Sequence, residues 1–425
     1  MSSEKAFLIE GLRTPFVKAG KEFKDIHPKD LGITNLKEFL YKMNFKGNEI
    51  DELIFGNSIC LPDSPNIARI ISLSSGLSHT IPATTIHKNC ASSMESFFIA
   101  VNKIERGYNQ SVIAGGVESM SYTPFILPQS LTYKLQSFIL SKKLKQKISS
   151  LLQIKKKDLK LISPILEGLK DPFTGYSMGE TAEILVREFN ISRKEQDFFA
   201  MNSHKKAFLA KKRLKEELFP FFTPNQVVFE DLGVREKISE KRMSKLSGFF
   251  DPKYGTVTIA NSCPINDGSS LVLLMSETKM KQLGLKPLAS IVSTSVVGLE
   301  PERMGLGPVY ATNLALKKAH LKLKDIDLFE INEAFAGQVL SCLKAFNSKK
   351  FAEEKLRLKE ALGEVDRDKL NVNGGAIAIG HPIAATGTRL ILTLAKEMKR
   401  RQATFGLASL CVGGGQGGAV ILKQA

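Results

Sequence analysis

A chain of 425 residues is more than one hydrophobic core usually holds, so two or three domains are expected. Its apolar and charged fractions, 43% and 24%, are those of a globular protein, and no apolar run is long enough to span a bilayer. The formal net charge of +17 leaves nucleic acid, an anionic membrane surface and a polyanionic small substrate as candidate partners. The five cysteines (Cys60, Cys90, Cys263, Cys342 and Cys411) are far apart, and the opening Met1-Ser2-Ser3-Glu4-Lys5 has no basic region before a long apolar core. Both features point to reduced thiols in a cytoplasmic chain. No Cys/His cluster has ligand spacing, so no metal site is expected.

In chain order, residues 5–10 read as a first strand, broken at 11–16. Apolar positions between 31 and 43 have helical spacing, 52–56 is a short buried strand, 67–73 a helix and 83–86 a strand. Met94, Phe97, Phe98, Val101 and Ile104 place a helix from about Cys90 to residue 105, and 111–117 is a buried strand. Strand, helix and strand within roughly thirty residues have the size of one βαβ unit.

The character changes between 121 and 247. Residues 133–160 are dense in lysine, and Leu140, Leu144, Ile148, Leu151 and Leu152 form one helical stripe. Such a segment can lie on a membrane or dock a partner. The alternative is a solvated helix whose stripe packs on its own domain. Residues 179–210 are strongly helical, with Ser192 and Glu195 as a capping box.

Beyond it, 256–259 reads as a strand, Asn266-Asp267-Gly268 as a turn and 270–275 as a strand. A second alternating set follows: strand 288–297, helix 309–319, strand 328–331, a helix start near Asn332, helix 386–397, and strands 405–410 and 419–422. The two ends of the chain therefore look alike, as a duplicated α/β unit would. The expected division is 1–120 and 248–287 for the first half, 121–247 for an inserted, mostly helical loop domain with its basic amphipathic segment at 131–160, and 288–425 for the second half.

The chemistry concentrates at the element boundaries. Cys90 opens a helix, whose partial positive end eases thiol ionisation, although a buried Cys is also a common small hydrophobe. His381, between Gly380 and Pro382, sits on a stiff turn and is a possible base for that thiol. Cys411 precedes glycines, including Gly413, whose N–H groups could converge on an oxyanion. Asn332 is polar at the end of a buried strand; a helix N-cap is its ordinary alternative role. Two thiols, an imidazole and glycine-built anion holes suit carbonyl chemistry at a thioester.

These stretches resemble the thiolase family, in order and over nearly the whole chain. Arg13-Thr14-Pro15-Phe16 resembles its opening motif and Asn89-Cys90-Ala91-Ser92-Ser93 its nucleophile motif. Ala114-Gly115-Gly116-Val117-Glu118-Ser119-Met120 resembles the following strand and turn, and Ser177-Met178-Gly179-Glu180-Thr181-Ala182-Glu183 the substrate loop. Asn332-Glu333-Ala334-Phe335-Ala336, Gly380-His381-Pro382 and Cys411-Val412-Gly413-Gly414-Gly415 complete the set. Pro382-Ile383-Ala384-Ala385-Thr386-Gly387 and the lysine-rich insert are similar to the thiolase subunit of bacterial trifunctional fatty-acid oxidation complexes.

The resemblance implies an α/β fold of duplicated halves layered α-β-α-β-α. It implies that Cys90 takes the acyl group, His381 activates it, and Cys411 moves the proton on the α-carbon of acetyl-CoA. Asn332, through a water, and His381 would form one oxyanion hole, and the N–H groups of Cys90 and Gly413 the other. Met178, Ser262 and Cys263 would lie near coenzyme A, with Cys263 where the family often has Ser or Thr. Coenzyme A would be a co-substrate, with no permanently bound cofactor and no metal.

The activity implied is acetyl-CoA C-acyltransferase, the thiolytic last step of fatty-acid β-oxidation. Its rivals are a biosynthetic acetoacetyl-CoA thiolase, a condensing ketoacyl synthase and a silent lipid-binding scaffold. A homodimer, a hetero-complex with an enoyl-CoA hydratase/3-hydroxyacyl-CoA dehydrogenase subunit, and peripheral contact with the inner membrane through 131–160 are further expectations. Nucleic acid is not expected, because no aromatic platform or recognised motif accompanies the charge.

Overall fold

The structure, a computed structural model, describes residues 4–425. The first half runs β1 (Ala6–Arg13), α1 (Pro28–Met43), β2 (Glu52–Gly56), α2 (Ile67–Ser74), β3 (Ala83–Ile86), α3 (Ser92–Glu105) and β4 (Ser111–Ser119). After an insertion containing α4 (Gln129–Leu140), α5 (Leu144–Leu152), α6 (Met178–Glu188) and α7 (Arg193–Leu209), β5 (Asn266–Ser276) completes it. The second half runs β6 (Ala289–Gly298), α8 (Gly307–Ala319), β7 (Leu328–Ile331), α9 (Ala336–Phe346), α10 (Thr386–Arg401), β8 (Phe405–Val412) and β9 (Gln416–Gln424).

The halves repeat one topology. In the first, β3, β2 and β4 are parallel, then β5 and β1 follow antiparallel. In the second, Leu370 bridges β7 in parallel, β7 is parallel to β8, then β9 and β6 follow antiparallel. The halves meet where Phe7 pairs with Ser290 and Leu8 with Ala289.

Alternation along the strands sets the layers, because successive side chains face opposite sides. Val272 and Leu274 of β5, with Val420 and Leu422 of β9, pack into one core with α3 and α10. Leu271, Leu273 and Met275 face α1 and α2, and Ala419 and Ile421 face α8 and α9. The order is therefore α-β-α-β-α, with α3 and α10 between the sheets. Helix α10 is buried on every face from Thr386 to Ala395, as a helix without a solvent side must be. The two central helices cross closely: a Cβ on Gly387 would lie 2.4 Å from the Met94 nitrogen, and the Thr388 N–H donates to Ser93 Oγ at 3.1 Å.

Local sequence misleads in places. Residues 256–259 form no strand, because the N–H groups of Thr256 and Val257 donate to the Glu183 carboxylate instead of a ladder. Asn266-Asp267-Gly268 has turn composition yet begins β5, where Gly268 pairs with Glu118. The stripe from Leu140 to Leu152 spans two helices, broken at 141–143. It points outward: Leu140, Leu144 and Leu152 are 78%, 73% and 80% exposed, which removes the alternative of a stripe packed on its own domain.

Arg13, at the end of β1, fastens the insertion to the sheets. Fully buried, its guanidinium donates to both Asp231 oxygens at 2.7 and 2.8 Å and to Glu217 at 3.0 Å. Asp231 also accepts from Phe16 N–H, and Glu217 from the Thr393 hydroxyl on α10. Removing one partner of a buried ion pair strands the others in low dielectric. Arg13→Leu is expected to lower unfolding free energy by about 3–5 kcal/mol in chemical denaturation; wild-type stability would show that Asp231 and Glu217 do not depend on Arg13.

Candidate active site

Three backbone turns converge at one end of the central helices. The first, a 3-10 turn at Asn89–Ala91, leads into α3. Asn89 takes left-handed φ (46°), and its side chain donates to Gly413 O at 3.0 Å, which ties this turn to the glycine hairpin between β8 and β9. The second, Ile383–Ala385, leads into α10 and follows His381. Gly380 at φ +117° allows the chain to turn there against the Asn266 side chain, in a region that side chains rarely adopt. The third is the hairpin 413–415, which starts directly after Cys411 and Val412 at the end of β8.

Cys90 is half-buried. Burial pushes its thiol up to about 11, against the pull of the Gly413 N–H and its own N–H. Burial thus opposes the ionisation that a helix end would ease; Cys90 lies in the 3-10 turn that runs into α3 at Ser92. Cys411 is buried, and burial together with neighbouring Cys90, Cys342 and Cys263 holds its thiol far above its ordinary range.

His381 is 6% exposed, and burial with the charge of Arg389 lowers its imidazole to about 3. Its Nδ1 lies 2.6 Å from Thr386 Oγ1, whose hydroxyl donates to Pro382 O. In that arrangement Nδ1 carries the proton and Nε2 keeps a free lone pair, the form a base requires. The His381 N–H donates to Asn266 Oδ1 at 3.0 Å, and Ile265 bridges His381, so β5 holds this turn in place.

Asn332 follows β7, and its N–H donates to Ser409 O. It is 1% exposed, and neither side-chain polar atom has a protein partner. The N-cap of α9 is Phe335, so capping does not explain Asn332. A buried, unpaired amide is costly unless water or a ligand completes it.

Met178, the first residue of α6, lies over the hairpin: a Cβ on Gly413 would sit 3.2 Å from its sulfur. Cys263 is half-buried and close enough for Cys90 to act on its ionisation; burial raises its thiol. The Ser262 hydroxyl donates to Thr258 O within its own turn. Thr386, Asn266 and Glu118 take part in the site without having been singled out from sequence. Glu118 had a signal, as a lone charge ending a buried strand; Thr386 and Asn266 are visible only through their partners.

A thiol facing a backbone N–H, a neutral imidazole, a second thiol and an unpaired amide have the chemistry that acyl transfer at thioesters requires. Residues 6–278 match the thiolase N-terminal domain and residues 285–424 the thiolase C-terminal domain. The chain is 39% identical to a 3-ketoacyl-CoA thiolase of Shewanella pealeana over 425 residues, covering 99% of this chain and 97% of the relative. Among solved structures, acetyl-CoA acetyltransferase of Bacillus anthracis matches at TM-score 0.86 and 34% identity over 100% of both chains. Human mitochondrial 3-ketoacyl-CoA thiolase in complex with CoA matches at TM-score 0.85 and 31% identity, over 100% of this chain and 99% of that one. The chain belongs to the thiolase family. It is an acyltransferase, as that family is.

A thiol at about 11 is ionised in proportion to hydroxide well below that pH. Alkylation of Cys90 by iodoacetamide without substrate should therefore rise about tenfold per pH unit between roughly pH 7 and 10, with no step near pH 6.5 from His381. A plateau above about pH 8 would mean that Cys90 rests as a thiolate.

Proposed function

We propose that the chain is a 3-ketoacyl-CoA thiolase, cleaving 3-oxoacyl-CoA with coenzyme A to acetyl-CoA and an acyl-CoA two carbons shorter, in fatty-acid β-oxidation. The observation that carries the reading is the Gly413 N–H facing Cys90, with a second thiol, Cys411, two residues before it in the chain.

The Cys90 sulfur attacks the 3-keto carbon as its proton passes to His381 Nε2. The developing oxyanion takes hydrogen bonds from the Cys90 and Gly413 N–H groups. The C2–C3 bond breaks, and the departing acetyl-CoA enolate takes the Cys411 proton, its oxygen held by His381 and by a water on Asn332. Coenzyme A then gives its thiol proton to Cys411 and attacks the acyl carbon, and His381 returns its proton to the leaving Cys90 sulfur. Both thiols and the imidazole are restored. Met178, Ser262 and Cys263 flank coenzyme A in this reading.

Thiolysis of 3-oxohexadecanoyl-CoA and of acetoacetyl-CoA, each with free coenzyme A, tests it. The long substrate is expected to give the higher kcat/KM, and Cys90→Ala to lose at least about 10³-fold on both. A preference for acetoacetyl-CoA would favour the second reading, a biosynthetic acetoacetyl-CoA thiolase, to which the likeness to an acetyl-CoA acetyltransferase also lends support. Full activity of Cys90→Ala would remove the mechanism.

The division of labour follows. Residues 121–247 are a loop domain inserted into the first half. Its outward leucines and surrounding lysines support peripheral attachment of a cytoplasmic enzyme to an anionic membrane. A homodimer joined to a hydratase/dehydrogenase subunit would deliver the 3-oxoacyl-CoA. Replacing Leu140, Leu144 and Leu152 together by Glu should cut co-sedimentation with phosphatidylserine vesicles about tenfold or more and leave acetoacetyl-CoA thiolysis intact. Unchanged sedimentation would move the stripe to a protein partner.

A further inference from the structure

Glu118 is a buried carboxylate that the mechanism does not use. It stands at the end of β4, fully buried, and no Lys, Arg or His among the described residues donates to it. Its Oε1 accepts from Asn57 Nδ2 and Ile59 N–H, both at 3.1 Å, and its Oε2 from Ser58 N–H at 3.1 Å. The Ala384 N–H, on the turn after His381, also faces it.

These donors lie on separate pieces of the site. Ser58 places its hydroxyl between the carboxylate and the nucleophile turn, donating to Asn89 O at 3.2 Å and meeting Ser92 Oγ at 3.4 Å. Ser92 Oγ in turn donates to Asn89 O at 2.7 Å and accepts from Lys88 N–H. Ala384 packs against the neighbouring Gly116, where any Cβ would fall 2.0 Å from its carbonyl oxygen. The Ser58–Ile59 segment, which reaches the Cys90 turn through the Ser58 hydroxyl, and the His381 turn therefore share one acceptor.

We propose that Glu118 is a positioning residue that locks the Cys90 turn, through Ser58, and the His381 turn in register. This rests on Cys90 and His381 acting as nucleophile and base.

Burial holds Glu118 near neutrality, up to about 7, against the pull of its N–H donors, and its charge in turn raises the Cys90 thiol. Other charged groups on the packed elements are engaged elsewhere. Lys88 pairs with Glu95 at 2.8 Å, Asp267 accepts from Ser121 N–H, and Arg389 pairs with Glu330 at 3.2 Å. His87 is engaged with Asn89.

Glu118→Gln keeps the shape but turns an amide NH2 toward backbone N–H groups and removes the charge. Turnover should then fall while Cys90 stays reactive. Thiolysis kcat falls roughly 10²-fold with KM changed less than about threefold, while the rate of Cys90 alkylation at a fixed pH changes less than about threefold. A purely structural role would depress both with stability, and that result, or no change in either, overturns the proposal. If Glu118→Gln fails to fold, Ser58→Ala cuts only the hydroxyl link. It should lower kcat roughly fivefold with unchanged KM, and an unchanged kcat overturns the proposal. Wild-type protein that neither turns over nor is alkylated at Cys90 would instead contradict the functional reading beneath it.

Discussion

Two helices, α3 and α10, are clamped between two sheets, and the rest of the structure depends on that burial. Each helix is entered through a short 3-10 turn, Asn89–Ala91 for one and Ile383–Ala385 for the other. Duplication of the α/β unit makes these turns counterparts, and the close crossing at Gly387 and Met94 sets their spacing. Cys90 and His381 thus sit at the entries of the two central helices. The glycine hairpin after β8 is tied to the first of these entries by the bond from Asn89 to Gly413 O.

The same burial sets the chemistry. Desolvation pushes every ionisable group in the site toward its neutral form: the Cys90 and Cys411 thiols up, the His381 imidazole down. The resting site therefore holds little charge. In the proposed reaction charge appears only when a substrate carbonyl takes electrons from sulfur, and the Gly413 N–H at Cys90 and the unpaired Asn332 amide are the groups left to meet it. A neutral His381 with Nε2 free can accept the Cys90 proton without first losing one of its own.

What could be read from sequence had a local cause. Strands such as Glu52–Gly56 and helices such as Ser92–Glu105 declare themselves by apolar spacing, and the Ser192/Glu195 capping box by composition. Cys90, His381, Cys411 and Asn332 stand out as reactive groups at element boundaries beside glycines. What could not be read was decided by distant partners. Asn266-Asp267-Gly268 has every local mark of a turn, but pairing with β4 draws it into a strand and places Asn266 under His381. Residues 256–259 alternate like a strand, but Glu183 takes their N–H groups. Thr386 orients His381 only because the first turn of α10 folds back onto the histidine. The direction of the Cys90 shift is set by burial, and burial is not written in a six-residue motif.

The central claim is that Cys90 carries the acyl group. Incubating the purified chain with palmitoyl-CoA, without added coenzyme A, and measuring intact mass followed by peptide mapping tests it directly. The account predicts one palmitoyl thioester, on the peptide containing Cys90, with coenzyme A released in equal amount and the adduct lost when coenzyme A is added back. An adduct on Cys411 or Cys263, or none on a folded chain, would contradict it.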